Sequence, residues 1–357
     1  MEHAIEQKDA YAIGIVGATG MVGEKIMSKL VERGFPVDYE NSQLFASPRS
    51  VGKELEWDNH TYELQYAETS EDYEGLDIVF LSAGGDATKS KVSKEQCPEV
   101  AKAGAIAIDN SSAWRMDPKV PLVVAEVNPE ALDSIPKGIV ANPNCTTMEA
   151  MPVLKVLHDM ASLKKVVMSS YQAVSGQGEA GTRELLAQTE RLAGMADHIV
   201  RKGLRPYDPD YPEPEVFPKP VAFNVTPMAG SFLNRDTTEE LKFKNESRKI
   251  LGLANLAIDA TCVRVPVLNG HSLSIDAEFE TEITPETAEY KLFSAPGVRL
   301  GRAPQPIDAS GRDDVIVGRI RASEVFDNGL NMFISGDNLL KGAALNAVQI
   351  AELLIKK

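Results

Sequence analysis

The sequence predicts an α/β protein built in two parts, a parallel sheet covered by helices on both faces and an α+β region with a largely antiparallel sheet. Three observations carry that expectation. Up to residue 145, short and nearly continuous runs of Val, Ile, Leu and Ala alternate with helical patterns, as strands buried on both faces do. Beyond it, residues 271–280 alternate in period two, with Leu273, Ile275, Ala277 and Phe279 on one face. The chain has 357 residues, 43% hydrophobic and 25% charged, which is length enough for two domains of ordinary globular composition.

Taken in order, residues 11–16 read as the first strand and 20–32 as the first helix. A second strand at 43–46 is followed by strands at 77–81 and 105–108, with a helical stretch over 89–103 between them. Further strands are expected at 122–124 and 139–141. Val153, Val156, Leu157 and Met160 then fall at i, i+3, i+4 and i+7, the stripe of a helix with one buried face. In the second part, 166–171 reads as a strand and 181–192 as a helix, and the Pro- and Tyr-rich segment 205–220 as an irregular surface excursion. Thr237 or Thr238 caps a helix over 238–251, ahead of Glu239 and Glu240. Two strands in period two come next, one carrying Arg264 and the other spanning 271–280. Strands at 314–319 and 331–335 and an amphipathic helix over 338–355 close the chain.

The charge balance narrows the function. A net charge of −15 with no basic block argues against nucleic acid and anionic membrane as partners. An anionic substrate would have to be drawn in by a local cluster of Arg and Lys. No apolar run is long enough to span a bilayer, and the polar start lacks the apolar core of a signal peptide. The three cysteines, Cys97, Cys145 and Cys262, form neither a disulfide framework nor a metal pattern, so a cytoplasmic, reducing setting and no metal are expected.

Four motifs carry chemistry. Gly17-Ala18-Thr19-Gly20-Met21-Val22-Gly23 joins the first strand to the first helix. Its glycines permit a tight turn that brings backbone N–H groups to a pyrophosphate, the fingerprint of a Rossmann-type dinucleotide site. The second strand runs into Ser47-Pro48-Arg49-Ser50, with a guanidinium and hydroxyls and no carboxylate. That favours NADP over NAD, with a solvated turn as the alternative. Ser82-Ala83-Gly84-Gly85 ends another strand where ligands of such sheets lie. Asn142-Pro143-Asn144-Cys145-Thr146-Thr147 places one thiol at a helix N-terminus, where the dipole favours a thiolate near neutral pH and free N–H groups can hold an oxyanion. A small buried cysteine is the alternative. Later, Arg264 and His271 flank a short connection that would bring both to one end of a sheet if they point the same way, Arg suited to a carboxylate and His to acid–base work, with a plain turn histidine as the alternative.

Together these segments resemble the aspartate-β-semialdehyde dehydrogenases, over nearly the whole length and most closely the bacterial branch. Residues 139–147 resemble the nucleophile segment, 169–176 (Ser-Ser-Tyr-Gln-Ala-Val-Ser-Gly) the strand with the substrate-orienting glutamine, and 264–272 the arginine–histidine segment. The resemblance implies that Cys145 is the nucleophile, His271 the acid–base catalyst and Gln172 the residue that orients the acyl-enzyme. It implies that Arg264 holds a substrate α-carboxylate and Glu239 an amino group, while Arg115 and Lys242, with Asn144, hold phosphate. Ser175, Gly176 and Asn338 would join Ser82, Ala83, Gly84 and the glycine turn in holding NADP(H). Gly336-Asp337-Asn338 resembles the segment that reaches back to the nicotinamide, which implies domains 1–145 plus 337–357 (NADP-binding) and 146–336 (catalytic and dimerising). The implied reaction is NADPH-dependent reductive dephosphorylation of L-aspartyl-4-phosphate, in the biosynthesis of lysine, threonine, methionine and diaminopimelate, by a homodimer.

Rival readings fit less well. N-acetylglutamyl-phosphate reductases carry Pro-Gly-Cys where this chain has Pro-Asn-Cys. Phosphorylating glyceraldehyde-3-phosphate dehydrogenases have Asn where Met148 stands. A paralogue that binds nucleotide without catalysis would not need Cys145, Gln172, Arg264 and His271 together.

Overall fold

The computed structural model describes residues 5–83, 86–203 and 212–356. Its first sheet is wholly parallel, in the order β2-β1-β5-β6-β7. The chain enters it through β1 (Ile13–Val16), α1 (Met21–Glu32) and β2 (Gln43–Phe45). A hairpin of β3 (Glu54–Trp57) and β4 (His60–Glu63) follows, then β5 (Ile78–Leu81), α2 (Asp86–Lys102), β6 (Ile106–Asp109) and β7 (Ile139–Ala141). Every residue of β1, β5, β6 and β7 is buried, in line with their unbroken apolar sequences.

Two local expectations need correcting. The hairpin was not anticipated, although Asp58 and Asn59 both take positive φ (46° and 63°), the signature of a two-residue turn. Residues 122–124 do not form a strand. Leu122 makes one isolated bridge to Ala141, and the Asn128 side chain takes the neighbouring backbone groups, accepting from the Val124 N–H at 2.9 Å and donating to the Leu122 carbonyl at 2.9 Å. Those groups are then not open to a ladder.

Helix α3 (Cys145–Ala161) leads out of the first sheet. Its one-sided stripe holds only for the second half, because Thr146 to Leu154 are all buried. The reason is its position between the two sheets: one continuous core runs from Val79, Ala107 and Ala141 through Met148, Met151 and Leu154 to Val166, Leu273 and Ile334.

The second sheet has the order β11-β8-β12-β15-β14-β13 and is mostly antiparallel. β8 (Leu163–Gln172) leads to α4 (Gly178–Ala193) and α5 (Ala196–Lys202). Of the 205–220 excursion, residues 205–211 lie outside the described residues and 212–220 form no helix or strand. A two-residue pair, β9 (Phe232–Leu233) and β10 (Asp236–Thr237), precedes α6 (Thr238–Leu251). Thr237 is the cap of α6: its hydroxyl accepts from the Glu240 N–H at 3.3 Å, and the Glu240 carboxylate accepts from the Thr237 N–H at 2.6 Å. Then come β11 (Ala257–Arg264), β12 (His271–Phe279), α7 (Pro285–Leu292), β13 (Val298–Leu300), α8 (Pro306–Ala309), β14 (Val315–Ala322) and β15 (Gly329–Gly336).

The closing helix is not continuous. Leu340–Ala344 form a π-helical turn, and only Leu345–Ile355 is α-helical (α9). Nor is α9 amphipathic in the usual proportion, since seven of its eleven residues are buried. It lies against α1 and β6 of the first sheet. Among the described residues, no helix is long and apolar enough to cross a membrane.

Candidate active site

Ala141 ends β7, and three residues later Asn144 caps α3, its side-chain oxygen accepting from the Thr146 N–H at 3.0 Å. Cys145 is therefore the first helical residue and is part-exposed, whereas Cys97 and Cys262 are buried. Its thiol opens on a cleft of about 790 Å³ between the sheets. At one end of the cleft stand Gly17, Thr19, Gly20, Met21, Val22, Ser47, Ser82 and Ala83, and at the other Cys145, Gln172, Arg264 and His271. Arg115, Asn144, Glu239, Lys242, Ser175, Gly176 and Asn338 also line it, as do Gly342 and Ala343. The structure does not bring Gly23, Arg49 and Ser50 into that lining, and Gly84 lies outside the described residues.

Arg264 and His271 reach one end of the second sheet as anticipated, but not on neighbouring strands. β8 lies between theirs, pairing Gln172 with Arg264 and Tyr171 with Ser272. Arg264, Gln172 and His271 thus stand side by side on three adjacent strands, and all three are buried. Their contacts are specific. Arg264 Nη1 donates to the Ala173 carbonyl at 2.5 Å, and the Ala173 N–H donates to His271 Nδ1 at 3.0 Å. Gln172 Nε2 donates to Thr146 Oγ1 at 2.7 Å and to Glu239 Oε1 at 3.2 Å.

The third wall is one face of α6. Glu239, Lys242 and Glu246, at i, i+3 and i+7, project toward α3. Glu239 Oε1 accepts from Asn144 Nδ2 at 2.7 Å, and Lys242 Nζ pairs with Glu239 Oε2 at 3.0 Å. Glu246 bridges Arg115 Nη1 (3.1 Å) and the Asn144 N–H (2.6 Å). Arg115 also donates to the Asn142 and Asn110 carbonyls.

These contacts set the protonation states, and one expectation fails. The Cys145 thiol is not a ready thiolate. Burial pushes it up to about 12, with Glu239 and Glu149 adding to the rise against Arg264 and Lys242. A helix N-terminus stabilises an anion by at most ~2 kcal/mol, too little to offset burial beside the Glu239 carboxylate. Glu239, despite burial, is held down at about 2 by Lys242, Asn144 and Arg264 and is ionised. Burial, then Arg264, brings His271 down to about 3, so it is neutral. Because its Nδ1 accepts the Ala173 N–H, its proton sits on Nε2, which has no protein partner among the described residues.

At the other end, the backbone is shaped for close approach. Gly17 has φ +86°, and a Cβ there would stand 2.7 Å from the Ser82 carbonyl oxygen. A Cβ at Gly23 would stand 2.3 Å from the Gly17 oxygen, so this third glycine packs helix onto turn rather than lining the cleft. Gly20 caps α1 with no side chain, leaving the first N–H groups of that helix open to an anion. A dinucleotide fits this end. Among the described residues, no cluster of His, Cys, Asp or Glu is arranged to hold a metal ion.

Three features escaped the sequence reading. Glu246 was findable from its spacing to Glu239 and Lys242 along α6. Glu149, one turn beyond Cys145, is fully buried, and neither of its oxygens has a hydrogen-bond partner among the described residues. Gly342, in the π turn, lies against Cys145, and nothing local signals it.

The chain matches two family models: residues 12–135 the semialdehyde dehydrogenase NAD-binding domain, and 154–341 the semialdehyde dehydrogenase dimerisation domain. It is 53% identical over 345 residues to an aspartate-semialdehyde dehydrogenase of Streptomyces akiyoshiensis, covering 96% of this chain and 98% of that one. A relative of the same name from Mycolicibacterium smegmatis is 50% identical over 351 residues, covering 96% and 98%. Among solved structures, aspartate semialdehyde dehydrogenase II of Vibrio cholerae complexed with ASA superposes with a TM-score of 0.88 at 37% identity, covering 98% of this chain and 99% of that one.

Proposed function

The chain belongs to the aspartate-semialdehyde dehydrogenase family, and from that premise we propose that it reduces L-aspartyl-4-phosphate to L-aspartate 4-semialdehyde with release of phosphate, a step in amino-acid biosynthesis. The observation that carries the proposal is the meeting of Cys145 with Gln172, Arg264 and His271 in the cleft that the glycine turn closes at its far end.

Each side chain has a part that its surroundings suit. Arg264 binds the substrate α-carboxylate. Ionised Glu239 binds the α-ammonium, and Lys242 with Arg115 and Asn144 binds the phosphate. Because Glu239 and Lys242 pair with each other at 3.0 Å, substrate replaces one internal ion pair with two external ones. The Cys145 sulfur attacks the acyl carbon. The thiol begins neutral, so as the C–S bond forms its proton passes to an oxygen of the departing phosphate, the acyl C–O bond breaks and a thioester remains. N–H groups at the start of α3 hold the oxyanion, each such donor being worth about 3 kcal/mol. His271 donates from Nε2 to the acyl oxygen, and Gln172, fastened to Thr146, keeps the acyl group in line. The glycine turn would hold a nicotinamide dinucleotide along the cleft, and that group would supply the hydride that reduces the acyl carbon; the C–S bond then breaks, the acyl oxygen becomes the aldehyde carbonyl and the Cys145 sulfur takes a proton from solvent.

NADP is the proposed cofactor, because the turn after β2 offers Ser47, Arg49 and Ser50 and no acid to a 2′-phosphate. We assign the cofactor domain to 1–145 plus 337–357, since α9 packs on α1, and the catalytic domain to 146–336. Homodimerisation is assigned to the outer face of the second sheet, where Val167 (45% exposed) and Tyr171 (40%) face outward beside Phe333. A cytoplasmic location fits three unpaired thiols.

The decisive assay is phosphate-dependent reduction of NADP by aspartate semialdehyde, run beside N-acetylglutamate semialdehyde and glyceraldehyde 3-phosphate. Turnover with the first alone is expected, and turnover with either of the others but not the first would refute the assignment. Cys145→Ser should lose activity and keep NADP binding.

A further inference from the structure

The π turn Leu340–Ala344 is set directly against the nucleophile's helix. A Cβ built on Gly342 would lie 2.7 Å from the Cys145 Cβ, 3.2 Å from its Cα and 3.5 Å from the Asn338 Cβ. Only a residue without a side chain fits there. An ordinary α-helical turn would place its residues differently, and π bulges of this kind concentrate at functional sites.

The turn is fastened by an unusual set of buried polar groups. Lys341 is completely buried, and its ammonium pairs with the Glu126 carboxylate and donates to Gln349 Oε1 at 3.2 Å. Gln349 Nε2 donates to Glu126 Oε1 at 2.7 Å. Asn142 Nδ2 donates to the Ala343 carbonyl at 2.9 Å, and Asn346 Nδ2 donates to Asn142 Oδ1 at 2.6 Å. The Gly342 N–H donates to the Asp337 carbonyl at 3.0 Å. Asn142 lies three residues before Cys145, so one network holds both the strand end that carries the thiol and the turn that faces it. A buried ion pair adds little to stability over apolar residues of the same shape, which leaves geometric register as what the pair supplies.

We propose that Gly342 is a positioning residue for Cys145, and that the Lys341–Glu126 pair holds the turn in the register that aims the thiol into the cleft. This rests on Cys145 being the nucleophile. In Gly342→Ala, the 2.7 Å contact must open to about 3.4 Å, so the thiol or the turn shifts by roughly 0.7 Å. A displacement of about 1 Å at a reacting group costs up to ~10²-fold in rate.

The test uses the full-length protein, with kcat and KM measured per NADP-binding site. Gly342→Ala is expected to lower kcat roughly 10- to 100-fold while KM for NADPH stays within about two-fold, and to change the rate of Cys145 alkylation by iodoacetamide across pH. Lys341→Met, which leaves Gly342 in place, should lower kcat in the same way. Wild-type kcat and alkylation in folded Gly342→Ala would overturn the proposal. So would a loss that merely follows the fraction of protein able to bind NADP. Should Cys145→Ser keep wild-type turnover, the nucleophile reading fails, whereas alkylation of Cys145 in Gly342→Ala still reports whether the contact sets the thiol's position.

Discussion

Glu246→Gln tests whether the α6 carboxylate organises the nucleophile loop. Glu246 has 2% of its side chain exposed and Arg115 8%, so their 3.1 Å pair is effectively out of water. The substitution preserves volume, so no cavity term enters. Its amide can still accept the Asn144 N–H, but an N–H₂ group then faces the Arg115 guanidinium, donor against donor. Breaking a buried pair from one side costs about 3–5 kcal/mol. Asp109 and Glu239 also act on Arg115, and their attraction remains. The expectation is thus the lower end, about 3 kcal/mol, or roughly 10²-fold in the unfolding equilibrium. Urea unfolding followed by tryptophan fluorescence reads this well, because Trp114 neighbours Arg115. The midpoint should fall at an unchanged slope. In the same variant kcat should drop at least about ten-fold, as the peptide N–H just before Cys145 loses its charged acceptor. A midpoint shift worth less than about 1 kcal/mol, within what an ordinary hydrogen bond contributes, together with near-wild-type kcat, would refute the reasoning.

Five further outcomes are expected. His271, neutral down to about pH 3, should contribute no acid limb to kcat between pH 7 and 5, and a limb near 6.5 that vanishes in His271→Asn would contradict its assignment. In the unfolded chain this imidazole takes a proton near 6.5 and in the folded one only near 3, so stability should fall as pH drops through that window, with less slope in His271→Asn thermal melts. Glu149 has the opposite sign: burial, then Asp337, raises its folded carboxyl far above 4.5, so stability should fall as pH rises above 4.5, and Glu149→Gln should flatten that decline. Arg49→Glu should raise KM for NADPH roughly 10- to 100-fold, the worth of a charge-assisted contact of about 1.5–3 kcal/mol, with NADH little affected; equal effects on both would remove Arg49 from the 2′-phosphate site. Val167→Asp should shift sedimentation from dimer to monomer, and an unchanged dimer would place the interface elsewhere.

What was legible in the sequence was local. The glycine turn and the helix start at Cys145 each lie within a few residues of what they hold, so their chemistry reads directly from spacing, and the α6 cap was narrowed to Thr237 or Thr238. Arg264 and His271 were legible only in part, because their short connection fixes the end of the sheet they share but not that β8 runs between them. The strand expected at 122–124 failed for a comparable reason, since a side chain six residues along, Asn128, takes the groups a ladder would use. Leu-Lys-Gly-Ala-Ala-Leu-Asn reads as an ordinary helix, and its π turn makes sense only once Lys341 meets Glu126, some two hundred positions earlier. Protonation is less legible still. Cys145, Glu149, Glu239, Arg264 and His271 come from four separate stretches of chain, and where the protons rest is decided by their sum. Taken alone, the thiol's helix terminus argues for an anion. Placed in the cleft beside Glu239, the same thiol is neutral, the imidazole beside Arg264 is neutral, and Glu239 stays ionised because Lys242 and Arg264 favour its anion. On the proposed roles, substrate that draws Lys242 toward its phosphate would also release Glu239 from their 3.0 Å pair for its ammonium, coupling binding to charge rearrangement.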